Sequence, residues 1–149
     1  MTKKLLLLFV LITIFGVLIA TDYIFHISTG EFIFPFGEPR VVKVVSGSPD
    51  YENNPNATHL TGKGPIPIGI WEITRVAHEL NGVRHANVIH LTPTFDVSPR
   101  DGSLFRIHGW NRDGSNGSTG CILMEPQHRQ RIVDDMNGGN RRRLIVKGD

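Results

Sequence analysis

Cysteine is almost missing from this chain: Cys121 is the only one in 149 residues. An intramolecular disulfide is therefore excluded, and with it a fold held by cross-links. A metal-ligand spacing is also missing. His26, His59, His78, His85, His90 and His128 form no zinc pattern, so no metal and no cofactor are expected. Internal repeats and low-complexity blocks are absent. So is an excess of one charge: of 16 Lys+Arg and 14 Asp+Glu, Lys3 and Lys4 stand in the first twenty residues with no acid, leaving fourteen of each beyond. That neutrality removes the electrostatic case for a nucleic-acid partner. Arg141-Arg142-Arg143, ahead of Leu144-Ile145-Val146, reads as a solvated strand entrance.

One long hydrophobic run is present. Lys3-Lys4 precede Leu5 to Ala20, an apolar stretch interrupted only by Thr13 and Gly16. A basic start followed by such a stretch is an export signal whose lysines stay cytoplasmic. The small-x-small cleavage pattern is poor, because Leu18 stands two residues before Ala20. The preferred reading is an uncleaved signal anchor over residues 1–21, with a removed signal peptide second and a buried helix third. Tyr23, Ile24 and Phe25 extend the run only if Asp22 is buried. Residues 22–149 then form one exported domain with a single core.

That domain reads as mainly β with one or two short helices. Strands are expected at Val41–Val45, Ile70–Val76, Asn87–Leu91, Leu104–His108 and Leu144–Lys147. Asn81-Gly82 supplies the tight turn of a hairpin. A helix is expected behind Pro126, with Ile132, Val133 and Met136 as its apolar stripe and Gly138 as a left-handed cap. Ser46 to Gly64 reads as a long loop, of the kind that forms lids or binding arms. The stiff phrase Gly64-Pro65-Ile66-Pro67-Ile68-Gly69-Ile70-Trp71 reads as scaffold.

The solitary thiol gains meaning from its neighbours. Cys121 ends Ser118-Thr119-Gly120-Cys121, and a Gly/Ser/Asn loop separates it from His108 at the end of a strand. A loop of that length can fold a nucleophile back onto its base. A free thiol in an oxidising compartment is a liability unless buried or used; the alternative is a buried cysteine acting as a small hydrophobe. An imidazole near its ordinary pKa of ~6.5 can take a thiol proton and return it to a leaving amine. Gly120 admits close approach of substrate, and main-chain N–H groups on a tight turn can meet an oxyanion. The residues thus point to cysteine acyl transfer.

Together these phrases resemble the L,D-transpeptidase (YkuD-type) catalytic domain of bacterial cell-wall enzymes. The compact branch that includes the type VI secretion L,D-transpeptidase-like effectors is the nearest in pattern. The resemblance runs from Ile27-Ser28-Thr29-Gly30-Glu31-Phe32 through Ser46-Gly47, Asn53-Asn54-Pro55 and the Gly64–Trp71 phrase. It continues to Phe105-Arg106-Ile107-His108-Gly109 and, most specifically, Ser118-Thr119-Gly120-Cys121-Ile122, with Arg129 downstream. It implies a mixed, sandwich-like β-sheet domain and a peptidoglycan stem tetrapeptide as substrate. Cys121 would be the nucleophile and His108 the base, with D-alanine leaving and a thioester remaining. An amine acceptor gives a cross-link and water a trimmed tripeptide, so transpeptidase and carboxypeptidase share the site. Thr119, Gly120 and Cys121 would form the oxyanion hole, Ser118 would hold the loop, and Arg129 would steer a substrate carboxylate or brace the site. The broad family has His where Thr119 stands and Arg where Leu123 stands. No acid at a recognisable spacing orients His108, and a backbone carbonyl often serves there.

The resemblance places the domain on the periplasmic side of the envelope, tethered to the inner membrane by its first residues. Three other readings fit part of the pattern, one of them a structural envelope protein that leaves the site phrase unexplained. An exported cysteine amidase commonly has cysteine before histidine, the reverse of the order here. A non-catalytic anchored wall-binding module leaves the pair Cys121 and His108 unexplained.

Overall fold

Short alternating segments, rather than long ones, build most of this domain. The computed structural model describes residues 22–111 and 117–149. The export segment expected over residues 1–21 lies outside them; among the described residues no helix is long and apolar enough to cross a membrane. The strands are β1 (Tyr23–His26), β2 (Glu31–Ile33), β3 (Val41–Lys43), β4 (Val45–Ser46), β5 (Gly69–Leu80), β6 (Val83–Pro93), β7 (Arg106–His108), β8 (Ile122–Leu123) and β9 (Arg143–Lys147). One helix, α1 (Pro126–Asn137), packs against β6. The described domain is mostly β with one helix.

All nine strands join one sheet in the order β3-β2-β1-β9-β5-β6-β7-β8-β4. Its two outermost strands, β3 and β4, are separated in the chain by Val44 alone. A sheet whose opposite edges are joined through one residue must wrap round until they meet. At that point Val44 leaves the ladder: its N–H donates to Gly30 O at 2.9 Å, and its carbonyl accepts from Asn53 Nδ2 at 3.0 Å. The single strand expected over Val41–Val45 is therefore two, which pair with β2 and β8 respectively.

The wrapped sheet encloses Tyr23, Phe25, Phe32, Phe34, Trp71, Ile107, Leu144 and Val146, all at most 1 % exposed. Burying each large side chain is worth about 1.5–3 kcal/mol. Tyr23 and Phe34 meet edge to face, their centroids 5.6 Å apart. Strands β1 and β2 were not expected from the sequence. Tyr23 and Phe25 face the core while Ile24 and His26 are half-buried, a period-two pattern too short to be read beside the apolar run before it. These residues do not prolong that run; they are a strand between β2 and β9.

The hairpin forms at Asn81 (φ 51°) and Gly82 (φ 76°), the left-handed pair its tight turn requires. Its return strand starts at Val83 rather than Asn87, and the pairing shifts register twice, between Ile73 and Arg75 and between Ala77 and Glu79. On α1 the left-handed residue is Gly139 (φ 84°), not Gly138 (φ −71°), whose N–H still closes the helix onto Asp134 O at 3.0 Å. The 46–64 loop contains 3-10 turns at Pro49–Tyr51 and Pro55–Ala57. Ser46 Oγ ties the sheet to two segments, accepting from Ile66 N–H at 2.9 Å and donating to Gly120 O at 3.0 Å. The Gly64–Trp71 phrase is scaffold as read, with Ile66 and Trp71 fully buried and Trp71 Nε1 donating to Pro67 O at 3.0 Å.

Candidate active site

β7 and β8 run parallel in the register Ile107↔Ile122 and His108↔Leu123. The intervening loop carries the chain back along the strand, so Cys121, one residue before β8, arrives beside the start of β7. Side chains alternate on β7: Ile107 points to the core, and Arg106 and His108 share the other face. His108, Cys121, Ser118, Thr119 and Arg106 line one cavity of about 550 Å³. Ser48-Pro49 from the long loop and Leu80-Asn81 from the hairpin tip form its other walls. A smaller cavity of about 240 Å³, walled by Thr61-Gly62, Arg100-Asp101 and Leu104-Phe105, also reaches Thr119 and Cys121. The thiol stands between the two.

His108 is 7 % exposed, and its Nδ1 lies 2.8 Å from Gly109 O. A carbonyl only accepts, so the proton belongs on Nδ1 and Nε2 keeps its lone pair. Burial is the main influence holding this imidazole below its ordinary pKa. The Gly109 carbonyl opposes that shift, and His85, Arg129 and Arg106 reinforce it. The His85 ring lies 6.5 Å away, centroid to centroid.

Cys121 is 8 % exposed, and its thiol donates to Leu104 O at 3.4 Å. Burial pushes the thiol up; hydrogen bonds from the Arg106 main chain and side chain, with the charges of Arg106 and Arg100, pull it back. Burial thus disfavours the charged form of both groups, the imidazolium of His108 and the thiolate of Cys121.

Ser118 organises the turn. Its Oγ accepts from Gly47 N–H at 3.2 Å and Gly120 N–H at 3.1 Å, and donates to Cys121 O at 2.5 Å. Its own N–H donates to Gly47 O at 2.7 Å. The Gly120 N–H is therefore committed within the turn. Gly120 has φ 129°, and a Cβ there would strike Arg100 Nη2, so only glycine fits.

Arg100 went unread in the sequence. It is 7 % exposed and donates to four carbonyls: Thr58 O (2.8 Å), Gly64 O (3.1 Å), Pro65 O (2.5 Å) and Thr119 O (2.8 Å). Its guanidinium also lies over the Phe105 ring, 4.7 Å from the centroid. Arg129 is 4 % exposed and donates to Asn87 O (3.1 Å), Ala86 O (3.0 Å) and Met124 O. It faces main chain rather than either cavity. Those contacts are the kind a brace makes. No cluster among the described residues could hold a metal ion.

A family model, the Tlde1 domain, matches residues 40–148. The chain belongs to the Tlde1 domain family. This is a family of type VI L,D-transpeptidase effectors, in keeping with the resemblance drawn from the sequence. The Tlde1 match starts just ahead of β3 and includes His108, the Ser118–Cys121 turn, Arg100 and Arg129. No curated protein matches the chain. Among solved structures, it is similar to the catalytic domain from an E. faecium L,D-transpeptidase, determined by NMR. That domain is 16 % identical, with 89 % of this chain and 100 % of that chain covered and a TM-score of 0.41.

Proposed function

We propose that residues 22–149 form a cysteine acyltransferase that acts on peptidoglycan stem tetrapeptides. The observation that carries this reading is the convergence of two groups on one cavity: Cys121, and a His108 whose Nδ1 is pinned by Gly109 O. Membership of the Tlde1 family supports peptidoglycan as the substrate.

The steps follow from the charge states. Nε2 of neutral His108 accepts the thiol proton as the sulfur attacks the carbonyl at the L-centre of the diamino acid. The developing oxyanion is met by main-chain N–H groups of Thr119 and Cys121, since that of Gly120 is held by Ser118. The C–N bond then breaks. Imidazolium returns its proton to the departing D-alanine amine, and a Cys121 thioester remains. Attack by water or by an amine of a second stem resolves it, with His108 taking the incoming proton. Trimming and cross-linking are two fates of one intermediate. The lysine-led run over residues 1–21 would be the export segment that delivers the domain to the periplasmic side of the inner membrane.

The test is incubation of the full-length chain with purified tetrapeptide muropeptides, read by mass spectrometry beside Cys121→Ala. Loss of D-alanine or appearance of dimers in the wild type alone is the expected result. Turnover by Cys121→Ala, or none by the wild type, would overturn the proposal.

A further inference from the structure

Three basic residues stand in one row across β5, β6 and β7. Arg75 is in register with His90, and His90 with Arg106. None of the three makes an ion pair among the described residues. Burial first, then the charges of Arg75 and Arg106, hold His90 below the ordinary imidazole pKa, so the two arginines are the charged members of the row. The row ends inside the larger cavity, where Arg106 shares a strand face with His108 and sits against the Cys121 sulfur. Its Nη1 donates to Leu104 O at 3.1 Å, which fixes the guanidinium while leaving further N–H groups for a ligand. No carboxylate lines that cavity among the described residues. A guanidinium with no ion-pair partner among the described residues, held beside a nucleophile in a cavity, is arranged for an anion.

We propose that Arg106 is a carboxylate-binding site that orients an anionic acyl donor against Cys121. This deepens the acyl-transfer reading and rests on it for the donor's identity. In a stem tetrapeptide the terminal carboxylate lies three bonds from the scissile carbonyl carbon. A guanidinium at the sulfur can therefore hold that carboxylate while the sulfur attacks, as its fork geometry suits. The site selects donors that end one residue beyond the bond and disfavours amidated or extended ones.

Alkylation of Cys121 in the full-length chain tests this without any peptide. Iodoacetate and iodoacetamide differ only in carboxylate against amide, and the ratio of their rates cancels changes in thiolate fraction. Arg106→Gln should lower the iodoacetate-to-iodoacetamide ratio about fivefold, the effect of one partly screened charge, while Arg106→Lys keeps most of it. A ratio within about twofold of wild type in Arg106→Gln would overturn the site. If Arg106→Gln does not fold, the wild-type ratio decides: it should fall as NaCl is raised from about 0.05 to 0.5 M, and a flat response overturns the proposal. Tetrapeptide turnover is measured in parallel. A ratio that depends on Arg106 without turnover would sink the acyl-transfer reading and leave the anion site standing; turnover with an insensitive ratio would do the reverse.

Discussion

Burial acts in opposite senses on the pKa values of the two proposed reactive side chains and disfavours the charged form of both. His108 is held below the ordinary imidazole pKa and Cys121 above the ordinary thiol value, each chiefly by desolvation. Because the base form of His108 persists below pH 6.5, the acid limb of kcat/KM should lie below that value. His108→Gln should remove this limb and lower the rate by about 10²–10⁴. A pH–rate profile whose acid limb sits at or above pH 6.5 would contradict this charge assignment. At this scale the sequence was readable where a side chain is distinctive: Cys121, His108 and Ser118 stand out by type and spacing, and the fold brings them to one cavity. Arg100 does not. Its four partners are carbonyls of Thr58, Gly64, Pro65 and Thr119, and a carbonyl is the same whatever residue bears it.

Between the elements, buried arginines substitute for packing. Arg129 joins α1 to the distorted stretch of β6 where Asn87 has φ 56°, and Arg100 joins the 58–65 segment to the site turn. Removing such a guanidinium strands several buried carbonyls, each costing about 1–3 kcal/mol. Arg129→Met should therefore destabilise the fold by about 3 kcal/mol, seen as a lower denaturation midpoint, while KM for stem peptides stays within about threefold of wild type. A large rise in KM at unchanged stability would return Arg129 to the substrate. The hairpin and helix were legible because Asn81-Gly82 and Pro126 are local signals. β1, β2 and β8 were not: they span two to four residues, and what makes them strands is their partners elsewhere in the chain.

The whole molecule depends on closure of its sheet, and closure depends on β1. That strand lies between β2 and β9 and contributes Tyr23 and Phe25 to the core. A chain starting at Asp22 should fold and bind stem peptide, whereas one starting at Ile27 should not, as circular dichroism and thermal melting would report. Equal stability of the two would move the domain boundary past β1. The wrapped arrangement itself was beyond local reading, because nothing in Val41–Val45 indicates that its two ends pair with strands on opposite sides of the order.

The parallel pairing of β1 with β9 bears on mechanical load. The described domain begins at β1 and ends just past β9, and the two run side by side in the register Tyr23↔Leu144 to His26↔Lys147. Two further bonds extend the ladder, Ile27 N–H to Lys147 O at 2.9 Å and Ser28 N–H to Gly148 O at 3.3 Å. Tension applied between residues 22 and 149 pulls these neighbours lengthwise past each other, so the cross-links between them are strained together instead of opening one by one. Stretched between a surface and a probe, the domain should yield in one abrupt step at high force. Pulling instead through the tip of the β5–β6 hairpin and residue 149 should peel the sheet apart at lower force.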